Sequence, residues 1–272
     1  MSAASGGQAD DAGIEVSIDG PVLTVTLSRP DRLNALTPEM HFALNRAFDR
    51  FDVDDRLRIA ILMAHGRAFC VGSDLKAAAE RRSRGEGALV LPAGGYGGIA
   101  VRFGRTKPVI AAVNGDAIGG GFELALACDL IVAAENARFA LPEPRFGMVA
   151  IGGGPHRLVR AVGAKRAMDI ALTARFLSAA EAFEMGIVNR VVGAGALDAA
   201  VRELSASVLR CGPGATAATL QIVKDTLDFP SLQDALARQE DAQSFTRWRA
   251  SDEGREGASA FTQKRKPAWT IS

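Results

Sequence analysis

Apolar and polar residues alternate through "IEVSIDGPVLTVTLSRP" on both sides of an Asp-Gly-Pro break. A period of two with a turn at its centre predicts a β-hairpin from about Ile14 to Leu27. In "TPEMHFALNRAFDRFD" the period changes, and Met40, Leu44, Phe48 and Phe51 fall on one helical stripe. Thr37 reads as the N-cap of that helix and Pro38 as its first residue. "RIAILMAH", "KPVIAAVNG" and "LIVAA" are short and almost wholly apolar, the last followed by a turn at Glu135-Asn136 and a short return strand. Apolar strands without alternation, set between helices, predict a sheet covered on both faces. Beyond Gly152 the pattern turns helical in "HRLVRAVGAKRAMDIALTA", "SAAEAFEMG", "LDAAVRELSASVL", "ATAATLQIVKDTL" and "LQDALARQEDAQSFTRW", with only "IVNRVV" extended. The chain thus divides into a tail over 1–12, expected to be disordered, an α/β core over 13–205 and a helical region over 206–272. The aperiodic, glycine-rich stretch Arg81–Gly98 is expected to be a mobile loop over a site.

Composition narrows the function classes. With 272 residues, 48% hydrophobic and 23% charged, the chain can bury a large core in water. A formal net charge of +1 gives no reason to expect a nucleic acid or an anionic membrane as partner. Cys70, Cys128 and Cys211 form no CxxC pair, which suggests free thiols in a reducing compartment. No apolar run reaches the length of a membrane span, and the N-terminal residues lack a signal-peptide pattern, so the cytoplasm is the expected location.

Candidate chemistry gathers around "GDAIGGGFELALACD" (Gly115–Asp129). No Lys-Ser or Lys-Thr follows these glycines, as a phosphate-binding P-loop requires. The spacing of Gly115, Gly119, Gly120 and Gly121 is not a dinucleotide fingerprint either. Glycines between a strand and a helix can instead aim bare N–H groups at an oxygen that gains negative charge. A tight crossing that needs glycine only for packing is the alternative. A second junction of the same kind, "GRAFCVGSDLKAA" (Gly66–Ala78), has Asp74 where an N-cap would stand. Two such junctions could supply two donors to one carbonyl oxygen.

"LNAL" (Leu33–Leu36), "RAFCVGSDL" (Arg67–Leu75), "VNGDAIGGGFELALACD" (Val113–Asp129), "ARFALPEPRFGM" (Ala137–Met148) and "EGASAFTQKRKPAW" together resemble the enoyl-CoA hydratase/isomerase, or crotonase, superfamily from about residue 14 to 270. The resemblance implies an α/β spiral of ββα units with a C-terminal helical region that assembles trimers, commonly dimers of trimers. It implies that the Ser73 and Gly120 amides hold the thioester carbonyl of an acyl-CoA. Glu123 and Glu143 occupy both acid positions of the hydratases, the first orienting water and the second delivering a proton. Arg32, Ala35, Val71, Leu75 and Lys76 match CoA-contacting positions, and Phe261 and Lys264 match tail positions that reach the nucleotide, often from a neighbouring subunit. Asp31 stands where many members carry lysine. No metal or redox cofactor is implied, because coenzyme A is part of the substrate.

The expected activity is hydro-lyase chemistry: reversible syn addition of water to a trans-2-enoyl-CoA, giving a 3-hydroxyacyl-CoA, in fatty-acid or related acyl-CoA metabolism. "AIGGGPHRL" (Ala150–Leu158) looks closer to the carnitinyl-CoA dehydratase-like branch, so a specialised acyl-CoA is an alternative substrate. A double-bond isomerase and a non-catalytic acyl-CoA-binding protein are further alternatives, and the two acids speak against the latter. Cys70 has no identifiable histidine base and reads as a buried small side chain. His156 is expected to pack or cap.

Overall fold

The computed structural model describes residues 8–10, 12–85, 87 and 89–269. Alternation sets the first layer. β2 (Ile14–Asp19) and β3 (Val22–Leu27) form the expected hairpin, with Leu23, Val25 and Leu27 turned fully inward. β1 (Gln8–Asp10) pairs antiparallel with β2, and the rest of the expected tail, apart from Ala12, lies outside the described residues. The Thr37 hydroxyl accepts the Met40 N–H, starting α1 (Pro38–Val53), and Met40, Leu44, Phe48 and Phe51 are all buried on its inner stripe.

The chain then winds through three turns of one unit. β4 (Ile59–Ala64), β5 (Ala68–Cys70) and α2 (Leu75–Ser83) make the first. β6 (Val109–Val113), β7 (Asp116–Ile118) and α3 (Gly120–Ala127) make the second. β8 (Leu130–Ala134), β9 (Arg138–Ala140) and α4 (Gly154–Val162) make the third. Each turn sends its first strand to a large sheet and its second to a small one, which is the expected ββα spiral.

α5 (Ala164–Thr173), β10 (Leu177–Ser178), α6 (Ala179–Glu184), β11 (Arg190–Val192) and α7 (Leu197–Leu209) complete the core. The large sheet runs β1-β2-β3-β4-β6-β8-β11 and is parallel from β3 onward; the small sheet runs β10-β9-β7-β5. Successive side chains of a strand face opposite sides, so β4 sends Ala60 and Leu62 into one apolar cluster and Ile59 and Ile61 into another. Leu197 and Val201 of α7 seal the second cluster. This two-sided burial is why these strands show no alternation.

Three elements depart locally from the pattern. The return strand β9 forms but does not pair with β8; it crosses to the small sheet between β7 and β10. Gly163, at φ +79°, splits the single helix expected over 156–174 into α4 and α5. The last expected helix likewise divides into α9 (Leu232–Arg238) and α10 (Gln243–Ala250), after α8 (Pro213–Thr226). α11 (Glu253–Thr262) closes the chain's helical part, and the division expected between 205 and 206 falls inside α7.

Two polar fastenings hold the C-terminal helices to the core. Asp129 sits in a buried ion pair with Arg105 and meets Lys224 of α8 at 3.0 Å. Glu253 of α11 accepts the N–H groups of Gly214 (2.6 Å) and Ala215 (3.0 Å), capping the start of α8.

Candidate active site

The small sheet sets the geometry. β5, β7 and β9 are parallel neighbours, so their carboxyl ends lie side by side, where parallel sheets place ligand sites. In register, Cys70 faces Ala117, and Ser73 and Gly120 each stand three residues further along the chain. Neighbouring strands are about 4.8 Å apart, and an N–H group reaches an acceptor at about 2.9 Å. Amides leaving adjacent strand ends can therefore share one oxygen. The turn at Gly72, with φ +89°, presses against the partner turn: a Cβ there would lie 3.0 Å from the Gly120 nitrogen.

Hydrogen bonds fix the Ser73 turn on both flanks. The Leu36 N–H donates to the Gly72 carbonyl (2.8 Å), and the Asp74 N–H donates to the Leu36 carbonyl (2.9 Å). Asp74 caps α2 by accepting the Ala77 N–H at 3.1 Å and pairs with Arg29 at 3.3 Å. The expected N-cap is thus in place. Among the described hydrogen bonds, none uses the N–H of Ser73 or Gly120.

Three different neighbours demand the three consecutive glycines. A Cβ on Gly119 would stand 2.9 Å from Glu143 Oε1, one on Gly120 1.9 Å from the Tyr96 hydroxyl, and one on Gly121 1.9 Å from the Cys70 carbonyl oxygen. Gly119 also holds φ +55°, a region that side chains disfavour. Substrate approach is one use of bare backbone here; close protein packing is the other.

Glu123, on the first turn of α3, is 2% exposed. Its Oε1 accepts the Gly154 N–H at 2.7 Å, and Gly152 supplies a second backbone donor. Burial raises its pKa, while the two N–H groups oppose that rise by stabilising the carboxylate. Glu143 opens a short 3-10 turn after β9 and is half-buried, with Oε2 enclosed and unpartnered among the described residues. Burial is the main cause that raises its pKa; its own backbone N–H opposes the rise, and the charge of Glu123 adds to it. Arg145 does not pair with Glu143; its guanidinium donates to the Thr173 carbonyl.

Two residues missing from the sequence expectations complete the site. Arg157, half-buried on α4, donates to the carbonyls of Gly152 (3.1 Å) and Ala100, tying the cradle of Glu123 to the segment that follows Tyr96. Tyr96, 3% exposed, places its hydroxyl 3.0 Å from Ser73 Oγ. The signals were present but faint: the single tyrosine of the chain within Gly-Gly-Tyr-Gly-Gly, and an arginine just past a glycine triplet.

The other expected positions separate into two groups. Ala35, Val71, Leu75 and Lys76 lie on segments joined by the Leu36–Gly72 and Asp74–Leu36 bonds, and Arg32 is exposed on the adjoining 3-10 turn. Phe261 and Lys264, at the end of α11, are exposed, and that helix packs against Gly212–Ala215 and not against the Ser73 and Gly120 turns. Within one chain the structure does not bring these two to the site. Cys70 is fully buried, and burial pushes its thiol up to about 12, which removes it as a nucleophile. His156 is exposed and neither packs nor caps; the helix cap at that point is Gly153. His41, pushed down to about 4 by burial, accepts the Gly97 N–H at 2.8 Å and braces the Tyr96 segment.

Comparison with known proteins bears on the family and the fold. The family model described as enoyl-CoA hydratase/isomerase matches residues 17–271. A carnitinyl-CoA dehydratase of Salmonella enteritidis is 40% identical over 258 residues, covering 94% of this chain and 97% of that relative. A solved enoyl-CoA hydratase from Mycobacterium tuberculosis is 37% identical with a TM-score of 0.87, covering 96% of this chain and 100% of that one. One from Mycobacterium marinum is 39% identical with the same TM-score and coverage.

Proposed function

The chain belongs to the enoyl-CoA hydratase/isomerase family, and from that premise we propose that it adds water reversibly across the 2,3 double bond of an enoyl-CoA thioester. The observation that carries this reading is the meeting of four groups at one sheet edge: the Ser73 and Gly120 amides, and the Glu123 and Glu143 carboxyls. The thioester oxygen takes both N–H groups. Glu123, its carboxylate oriented by Gly152 and Gly154, accepts a proton from water as the water oxygen bonds to Cβ. The electron pair of the double bond moves through Cα onto the thioester oxygen, where the two amides and the N-terminal end of α3 stabilise it. Glu143, whose pKa burial and the charge of Glu123 raise, gives a proton to Cα. Arg32, Ala35, Val71, Leu75 and Lys76 hold the CoA portion.

A second reading has its own support. The 40% identical relative is named carnitinyl-CoA dehydratase, and the same acid pair run backwards would dehydrate a substituted 3-hydroxyacyl-CoA. We also propose assembly into trimers or dimers of trimers. Exposed apolar side chains on the C-terminal helices support it, Leu232 at 69% and Phe261 at 87% exposure among them. A neighbouring chain would then bring Phe261 and Lys264 to the CoA.

The direct test is the loss of enoyl-thioester absorbance with crotonyl-CoA, its longer homologues and a trimethylammonium-bearing analogue. Glu123→Gln and Glu143→Gln should each lower kcat by about 10²–10⁴-fold, the range for a positioned acid or base. Equal inertness of wild type and both variants on every thioester, with CoA-ester binding retained, would leave a binding protein instead.

A further inference from the structure

Tyr96 is held where neither the acids nor the amides require a side chain. Its ring meets His41 edge-on with centroids 4.6 Å apart, and His41 is itself fixed by the Gly97 N–H. Gly94 donates to Asn45 Oδ1 at 2.9 Å before it, and Arg157 holds the Ala100 carbonyl after it. The segment is therefore pinned on both sides of the phenol. The hydroxyl at its tip touches both turns: it bonds Ser73 Oγ at 3.0 Å and stands where a Gly120 Cβ would be, only 1.9 Å from that position.

The proton count of the hydroxyl pair is informative. Ser73 and Tyr96 carry one hydroxyl proton each, and their mutual bond uses one. The other has no described acceptor in the chain. A phenol is the more acidic of the two and makes the better donor to an oxygen gaining charge. When Ser73 donates to the phenol oxygen, it polarises the phenol O–H further.

We propose that the Tyr96 O–H is a third hydrogen-bond donor to the thioester oxygen held by the Ser73 and Gly120 amides, with Ser73 Oγ–H as the group that orients it; this rests on the acyl-CoA reading above. No proton is transferred: the phenol stays neutral and its bond shortens as the oxygen becomes enolate. Burial, the first cause, then the Cys70 thiol and the Glu123 and Glu143 carboxyls raise its pKa, so it remains a donor across the working pH range. A structural plug would fill the same space through its ring alone, and Tyr96→Phe separates the two roles.

The test uses a cinnamoyl-CoA with a para-dialkylamino group, whose absorption moves to longer wavelength as its carbonyl oxygen is polarised. Wild type should shift the band strongly. Tyr96→Phe should shift it less while binding the probe within about threefold of wild type, and should lower kcat on crotonyl-CoA by about 10- to 100-fold with KM little changed, as for loss of one hydrogen bond to a charged oxygen. Ser73→Ala, which keeps the phenol and leaves the ring packing untouched, should give an intermediate shift and a smaller fall in kcat. If Tyr96→Phe does not fold, a Ser73→Ala shift below that of wild type supports the proposal, and one equal to wild type overturns it. An unchanged band and kcat in Tyr96→Phe overturn it, as does a loss of affinity and thermal stability with the band shift intact. A wild-type protein that binds the probe without moving its spectrum overturns the oxyanion-hole reading itself.

Discussion

Glu123 is 2% exposed and takes two backbone N–H groups, whereas Glu143 encloses Oε2 with no described donor. Donors to the charged form favour a carboxylate, and burial without them favours the acid. Burial raises both carboxyls, and the N–H groups of Gly152 and Gly154 oppose that rise at Glu123. Because the Glu123 charge adds to the rise that burial causes, Glu123→Gln should lower the Glu143 titration while burial keeps it above the ordinary 4.5, followed by NMR of its labelled carboxyl carbon. An unmoved titration would show that the two carboxyls do not sense each other. In linkage terms a raised carboxyl stabilises the native state below 4.5, and that stabilisation is lost as pH rises through the folded value. The two glycine-rich strand-to-helix junctions and the apolar setting of Glu123 were legible in the sequence, whereas Ser73, Gly120 and Glu143 were singled out only by the family resemblance. Tyr96 and Arg157 were not legible, because their partners, Ser73 and the carbonyls of Gly152 and Ala100, are brought to them only by the spiral.

The elements were legible where one face decided their composition. The hairpin and α1 show their periods because one side of each meets the core. The split between sheets was hidden: β8 and β9 are separated by a turn that looks like a hairpin, yet β9 finds its partners in β7 and β10. Strand pairing is a tertiary choice, and apolar pattern alone does not encode it. The joint between core and C-terminal helices was likewise silent, for Asp129 reads as one acid at the end of the glycine motif. Burial works against its charge, but Arg105 and Lys224, with the Val109 N–H, hold its pKa below the ordinary value. The sign is opposite to that of Glu143: the stabilisation is present above 3.8 and is lost as pH falls through the folded value. Asp129→Ala leaves Arg105 buried and unpaired, so it should cost about 3–5 kcal/mol in urea unfolding at neutral pH. A loss below about 1 kcal/mol would mark the cluster as no stronger than a surface pair.

The whole molecule gathers the candidate site at the carboxyl ends of the small sheet's parallel strands and leaves apolar side chains on the C-terminal helices exposed. Exposed apolar residues scattered singly are ordinary, but Leu232, Leu236 and Phe261 share the region to which the family resemblance assigns assembly. Light scattering should therefore give the mass of three or six chains, and Phe261→Asp should weaken CoA-ester binding; a monomer with full affinity would contradict assembly-supplied contacts. The central claim is that two amides grip one oxygen between two acids. The measurement that meets it head-on is a crystal structure with a bound, unreactive acyl-CoA thioester. The account predicts the thioester oxygen within about 2.7–3.1 Å of both the Ser73 and Gly120 nitrogens, with Glu123 and Glu143 beside Cβ and Cα. A thioester bound with its oxygen away from either amide, while the acids face solvent, would contradict it.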